Sequence, residues 1–291
     1  MTLIPEPLGG ERRSFTWRGH RVAYTVLGSG PPLLLVHSIH AAAWSMEWRF
    51  VAPALAQQYT VFAIDLLGFG ASDRPPVHYT SALYVELLRD FLRSVIQQPA
   101  FVVGSSLGGT YMVRIAAESP ELVRALCAIG PAGVSRLRHS DGAVGAVGSV
   151  VQGLFRAPII GEALFGGITS RTSIRFFLKD IYANPAAMTP EAIELYWQGA
   201  HAEGARFAPA AFVGMRLNLD IVEDLRRLAV PTLLVWGKDA SQTPFSESPK
   251  VRAIRPDIPF AAVPGGDLPH DESPAAFLDA LGGFLRAHAA A

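Results

Sequence analysis

The sequence has one cysteine, three lysines and no net charge. A single thiol, Cys127, excludes an intrachain disulfide framework. Its setting, Ala125-Leu126-Cys127-Ala128-Ile129, is apolar and reads as core packing rather than reactivity. The 25 basic and 25 acidic residues cancel, so there is no basic field for nucleic acid and no basic run for an anionic membrane surface. No stretch of about 18 uninterrupted apolar residues occurs, which argues against a transmembrane helix. Met1 to Arg13 carries Pro5 and Pro7 and no apolar core, so it does not read as a signal peptide. A cytoplasmic protein without stable membrane insertion is the expectation. Its oligomeric state is not legible.

What is present is a large apolar fraction. Half of the 291 residues are hydrophobic and 17% are charged, enough to bury a sizeable core. The first half alternates short apolar runs with longer amphipathic segments. His20 to Leu27, Leu33 to Val36, Thr60 to Ile64, Phe101 to Val103 and Val123 to Ile129 read as strands. Trp48 to Gln57, Ser81 to Ile96 and Leu107 to Glu118 read as helices. In Ser81 to Ile96, residues Tyr84, Leu87, Leu88, Phe91, Leu92 and Val95 share one helical face. Such alternation implies a mostly parallel sheet covered by helices on both faces. It stops after Gly133 and resumes with strands at Thr232 to Trp236 and Phe260 to Val263 and a closing helix at Pro274 to Ala287. The expected organisation is one sheet domain, residues 1–133 and 221–291, interrupted by a helical insertion at 134–220. Within the insertion, 142–167 reads as a packing helix, with a mobile lid or a lipid-touching segment as the alternatives.

Gly104-Ser105-Ser106-Leu107-Gly108 matches G-x-S-x-G between a strand and a helix, the context that this motif requires. Only with Ser106 at the centre do glycines occupy the two places where the turn leaves no room for side chains. A serine hydroxyl needs a base, and the base needs an orienting partner. In chain order the candidates are Asp239, three residues after a strand, and His270, between the last strand and the last helix. The other common place for the acid, after Ile129, reads Gly130-Pro131-Ala132-Gly133 and holds no carboxylate. Asp267, Asp271 and Glu272 crowd His270 and are alternative orienting groups.

These features resemble the α/β-hydrolase family over nearly the whole chain. Asp65 to Ser72 is similar to its D-x-x-G-x-G-x-S turn, and Gly265 to Pro274 to its catalytic-histidine segment. The resemblance implies an α/β-hydrolase fold: a mostly parallel eight-stranded sheet flanked by helices, with a helical cap. It implies catalytic Ser106, Asp239 and His270. It also implies an oxyanion hole from the backbone amides of Ile39 and Leu107, and no metal or cofactor. The oxyanion loop departs from the pattern: His37-Ser38-Ile39-His40 has Ser38 where the family has glycine. A hydroxylated residue there is also similar to plant hydroxynitrile lyases, but the lysine that those enzymes carry near the histidine has no counterpart between 251 and 291.

The implied cap brings Phe155, Phe165, Phe176, Phe177, Tyr182, Trp197, Phe207 and Phe212, an apolar roof that favours apolar acyl or alcohol groups. The expected activity is hydrolysis of small to medium apolar carboxylic esters through an acyl-enzyme. The alternatives are carbon–carbon bond hydrolysis, with Arg114, Arg171 and Arg175 as conceivable polar groups, and a non-catalytic ligand-binding protein of the same fold.

Overall fold

A computed structural model describes residues 4–134, 150, 153–155 and 157–289. Eight strands form one sheet: β1 (Glu11–Trp17), β2 (His20–Leu27), β3 (Pro32–Val36), β4 (Thr60–Ile64), β5 (Ala100–Ser105), β6 (Val123–Ile129), β7 (Thr232–Gly237) and β8 (Phe260–Val263). The order across the sheet is β1-β2-β4-β3-β5-β6-β7-β8. β1–β2 and β2–β4 pair antiparallel, and every later pair is parallel. The sequence reading omits β1, whose only fully buried residue is Trp17 and which carries no apolar run.

β3 is buried at all five positions, as a central parallel strand covered on both faces must be. Ser81–Phe91 and Leu107–Glu118 cover one face through Tyr84, Leu87, Leu88, Phe91, Tyr111 and Met112. Trp48, Leu55, Phe277, Leu281 and Leu285 cover the other, from the turn region after β3 and the helix Pro274–Ala287. Two predicted helices are less regular than expected. The stretch Trp48 to Gln57 begins at the last residue of a 3-10 turn, Ser45–Trp48, and holds one α-turn at Ala52–Leu55, and the helix at Ser81 continues as a π-turn over Leu92–Ile96. Cys127 is fully buried in β6, where burial pushes its thiol pKa up.

Between β6 and β7 every described element is helical, including Ile160–Ile168, Arg171–Leu178, Pro190–Ala200 and Phe207–Val213. These helices rest on the loop after β3: Phe165, Ile174, Tyr182 and Tyr196 share a core with Ala42, Trp44 and Met46. Most of 135–156, and with it much of the expected 142–167 segment, lies outside the described residues. No described helix is long and apolar enough to cross a membrane.

Candidate active site

β5 ends at Ser105, and the next residue turns sharply into the helix Leu107–Glu118. Ser106 has φ 52° and ψ −122°, a conformation that costs an L-residue about 1–3 kcal/mol. Its amide donates to Ile129 O at 2.8 Å, which pins the turn to the end of β6. The glycine frame is steric. A Cβ on Gly104 would lie 2.7 Å from Gly109 Cα, and one on Gly108 would lie 2.4 Å from His37 O. Ser105 is fully buried in the strand, whereas Ser106 lines a cavity of about 450 Å³.

Ile39 and Leu107 line the same cavity. The Leu107 amide opens a helix, where unpaired N–H groups and the helix dipole favour a developing anion. Of the predicted cap aromatics, Phe155, Phe165, Phe177 and Phe212 line the cavity. Tyr182 is buried in the cap core, and Phe176 is exposed. Trp197 stacks on His201 with centroids 4.4 Å apart, and the Phe207 ring lies under the Arg206 guanidinium, so neither belongs to the roof.

The structure does not bring the predicted acid and base to Ser106. His270 is completely buried and does not line the cavity. Its ring stacks on Trp48 with centroids 4.1 Å apart and meets the edge of Phe277 at 5.8 Å. Neither ring nitrogen has a hydrogen-bond partner among the described residues. Burial holds its pKa down to about 4, with Glu47 opposing that shift and Arg49 adding to it. His270 is thus a buried, packed side chain whose neutral form burial favours. Asp239 is exposed, does not line the cavity, and makes no side-chain hydrogen bond or ion pair among the described residues.

The other carboxylates near His270 are also occupied elsewhere. Asp271 pairs with Arg49 at 2.7 Å and accepts from Tyr182. Glu272 accepts the amides of Ala183 and Asn184. Asp267 is the carboxylate of this segment that reaches the cavity, next to Leu268. Its carboxylate accepts the backbone amides of Ser241, Gln242 and Thr243 at 3.0 to 3.2 Å, closing the β7 and β8 loops onto each other. The contact is tight: a Cβ on Gly237 would fall 1.8 Å from Gly266 O.

The Asp65 to Ser72 segment is structural. Asp65 accepts the amides of Ser45 at 3.0 Å and Ala71 at 2.8 Å, and a Cβ on Gly70 would collide with its carboxyl group. His37 is structural as well. Its Nε2 accepts from the Leu66 amide at 3.0 Å, so Nδ1 carries the proton that goes to Ser38 O at 2.6 Å.

Sequence reasoning singled out Ser38 in the loop after β3 but not the buried carboxylate that it meets. Ser38 donates through its amide to Glu47 Oε2 at 3.0 Å and through its hydroxyl to Glu47 Oε1 at 2.7 Å. Glu47 is fully buried, and His40 Nε2 lies 3.2 Å from Oε1, within ion-pair reach. Burial opposes ionisation of Glu47, but the neighbouring His40 holds its pKa down at about 2. Ser38 in place of glycine is the sequence signal for this arrangement. Arg114, Arg171 and Arg175 do not line the cavity: Arg114 bonds Asp224 and Arg171 bonds Glu194.

Comparison with known proteins agrees with the fold. Residues 33–280 match the model of the alpha/beta hydrolase family. A 2-hydroxymuconate semialdehyde hydrolase from a Pseudomonas species is 39% identical over 231 residues, 76% of this chain and 74% of that protein. A 2-hydroxy-6-oxo-6-(2'-aminophenyl)hexa-2,4-dienoic acid hydrolase from Metapseudomonas resinovorans is 29% identical over 241 residues, 80% of this chain and 76% of that one. Among solved structures, a serine hydrolase involved in carbazole degradation superimposes with a TM-score of 0.78 at 26% identity, covering 96% of this chain and 100% of that chain. The chain belongs to the alpha/beta hydrolase family.

Proposed function

We propose that this protein hydrolyses carboxylic esters of small to medium apolar compounds through an acyl-enzyme on Ser106, beneath a helical cap at 134–220. The observation that carries the reading is the strained backbone of Ser106, kept at the wall of an apolar cavity that Ile39 and Leu107 also line. A serine held at positive φ costs stability and persists where the surrounding structure imposes it for a task. In this reading Ser106 Oγ attacks the carbonyl carbon, the two amides receive the oxyanion, and water clears the acyl group.

Charge favours a neutral ester over the acids named in the relatives. Among the described residues the cavity wall carries Asp180 and Asp267 and no Arg or Lys. A carboxylate-bearing substrate of a carbon–carbon hydrolase would meet like charge there. A second reading, ligand binding without turnover, is favoured by one observation: no imidazole from the β8 loop reaches the cavity.

The test is a chain-length series of chromogenic acyl esters run beside Ser106→Ala. The ester reading expects turnover that depends on acyl length and on Ser106. No turnover above Ser106→Ala at any length sinks it. One equivalent of acylation without turnover, or saturable binding alone, supports the second reading. Cleavage of a dienoic diketone with inert esters supports carbon–carbon hydrolysis.

A further inference from the structure

We propose that His40 is the general base of this site, with Glu47 as its positioning residue and Ser38 as the clamp on Glu47. The proposal rests on reading Ser106 as the nucleophile.

A serine nucleophile needs a base within hydrogen-bond reach, directly or across one water. His270 is completely buried and does not line the cavity that Ser106 lines. His40 lines the cavity that Ser106 lines and directly follows Ile39. Its side chain is 19% exposed, so it meets the cavity without being loose. The Tyr196 ring packs on it at 5.6 Å and limits its rotation.

The two ring nitrogens differ in the way that a base requires. Nε2 lies 3.2 Å from Glu47 Oε1, an ion-pair distance without hydrogen-bond geometry, and the negative charge of the carboxylate favours a proton on that nitrogen. Nδ1 accepts the Ala42 amide over a long 3.3 Å and therefore carries a lone pair. That contact is weak enough to be exchanged for a better donor. Glu47 cannot swing away, because both its oxygens are held by Ser38. The serine that replaces the family's glycine is thus the group that fixes the carboxylate. The titratable groups around His40 are Glu47, Tyr196 and His37, with Asp180 and Asp267 on the cavity wall.

The steps balance as follows. The Ser106 Oγ proton passes to His40 Nδ1 as the Oγ–carbon bond forms and the carbonyl π pair moves onto oxygen at the Ile39 and Leu107 amides. The imidazolium, beside Glu47, gives that proton to the departing alkoxide as the ester C–O bond breaks. Water then loses a proton to the same nitrogen, attacks the acyl carbon, and releases the acid while Oγ regains its proton.

The experiment measures hydrolysis of p-nitrophenyl butyrate by wild type, His40→Ala, His40→Gln, Glu47→Gln and Ser106→Ala, with folding checked by circular dichroism. His40→Ala should lower kcat ~10²–10⁴-fold with KM little changed. Added imidazole should restore part of the rate to His40→Ala and none to Ser106→Ala. Glu47→Gln should lower kcat and displace the acidic limb of the pH profile. If Glu47→Gln does not fold, Ser38→Gly serves, and a smaller kcat loss with the same displacement is expected.

Wild-type kcat in His40→Ala, with Ser106→Ala inactive, overturns the role of His40 and leaves the ester reading intact. Loss of rate without imidazole rescue, and with an unmoved pH profile in Glu47→Gln, also overturns it and makes the pair structural. Absence of turnover in the wild type itself fails both proposals together.

Discussion

A buried histidine with unpartnered nitrogens leaves a signature in the pH dependence of stability. The perturbation is His270→Leu, which keeps a similar volume against Trp48 and Phe277 and removes the titrating nitrogens. Burial lowers the His270 pKa from 6.5 to about 4 in the folded protein. Between those values the unfolded chain binds a proton that the folded one refuses. Stability is therefore complete above pH 6.5 and is lost as pH falls toward 4. The difference corresponds to about 3 kcal/mol. Asp271 works in the opposite direction: burial raises its pKa from 3.8 to about 6, so its contribution is lost as pH rises through that window. The wild-type profile alone would blend the two, and the comparison with His270→Leu isolates the histidine. Urea unfolding at a series of pH values from 7.5 to 4 should show the wild type losing about 3 kcal/mol more than the variant. Parallel profiles would refute the burial argument and return His270 to a solvent-connected position.

Two further changes test the site's energetics. Ser106→Gly relieves the positive φ and should raise stability by about 1 kcal/mol in urea unfolding, after the entropy of the added glycine is set against the strain, while Ser106→Ala should show no such gain. Arg49→Met leaves Asp271 buried without its partner and should cost about 3–5 kcal/mol, and adding Asp271→Leu should recover most of it in the same assay.

The sheet was legible because its central strands are continuous apolar runs and the covering helices keep their spacing. β1 was not, because it pairs only with β2 at the sheet edge and buries little. The nucleophile was legible for a local reason: the glycines at 104 and 108 are demanded by contacts within a few ångströms of Ser106. The acid and base were not legible. Chain order identifies a loop but not which residue in it faces the cavity. The β8 loop turns Asp267 inward and buries His270 against Trp48, a residue more than two hundred positions away. The pairing of His40 with Glu47 depends on the chain folding back through the turn Ser45–Trp48, which a strand-and-helix reading does not resolve. Ser38 was visible as an anomaly, but its partner was not.

The central claim is that Ser106 cleaves esters without His270. Its most direct test is kcat/KM for p-nitrophenyl butyrate in His270→Leu beside Ser106→Ala. The account predicts that His270→Leu stays within ~3-fold of the wild type, as a packing residue should, whereas Ser106→Ala falls by ~10³-fold or more. A folded His270→Leu that falls as far as Ser106→Ala would contradict it.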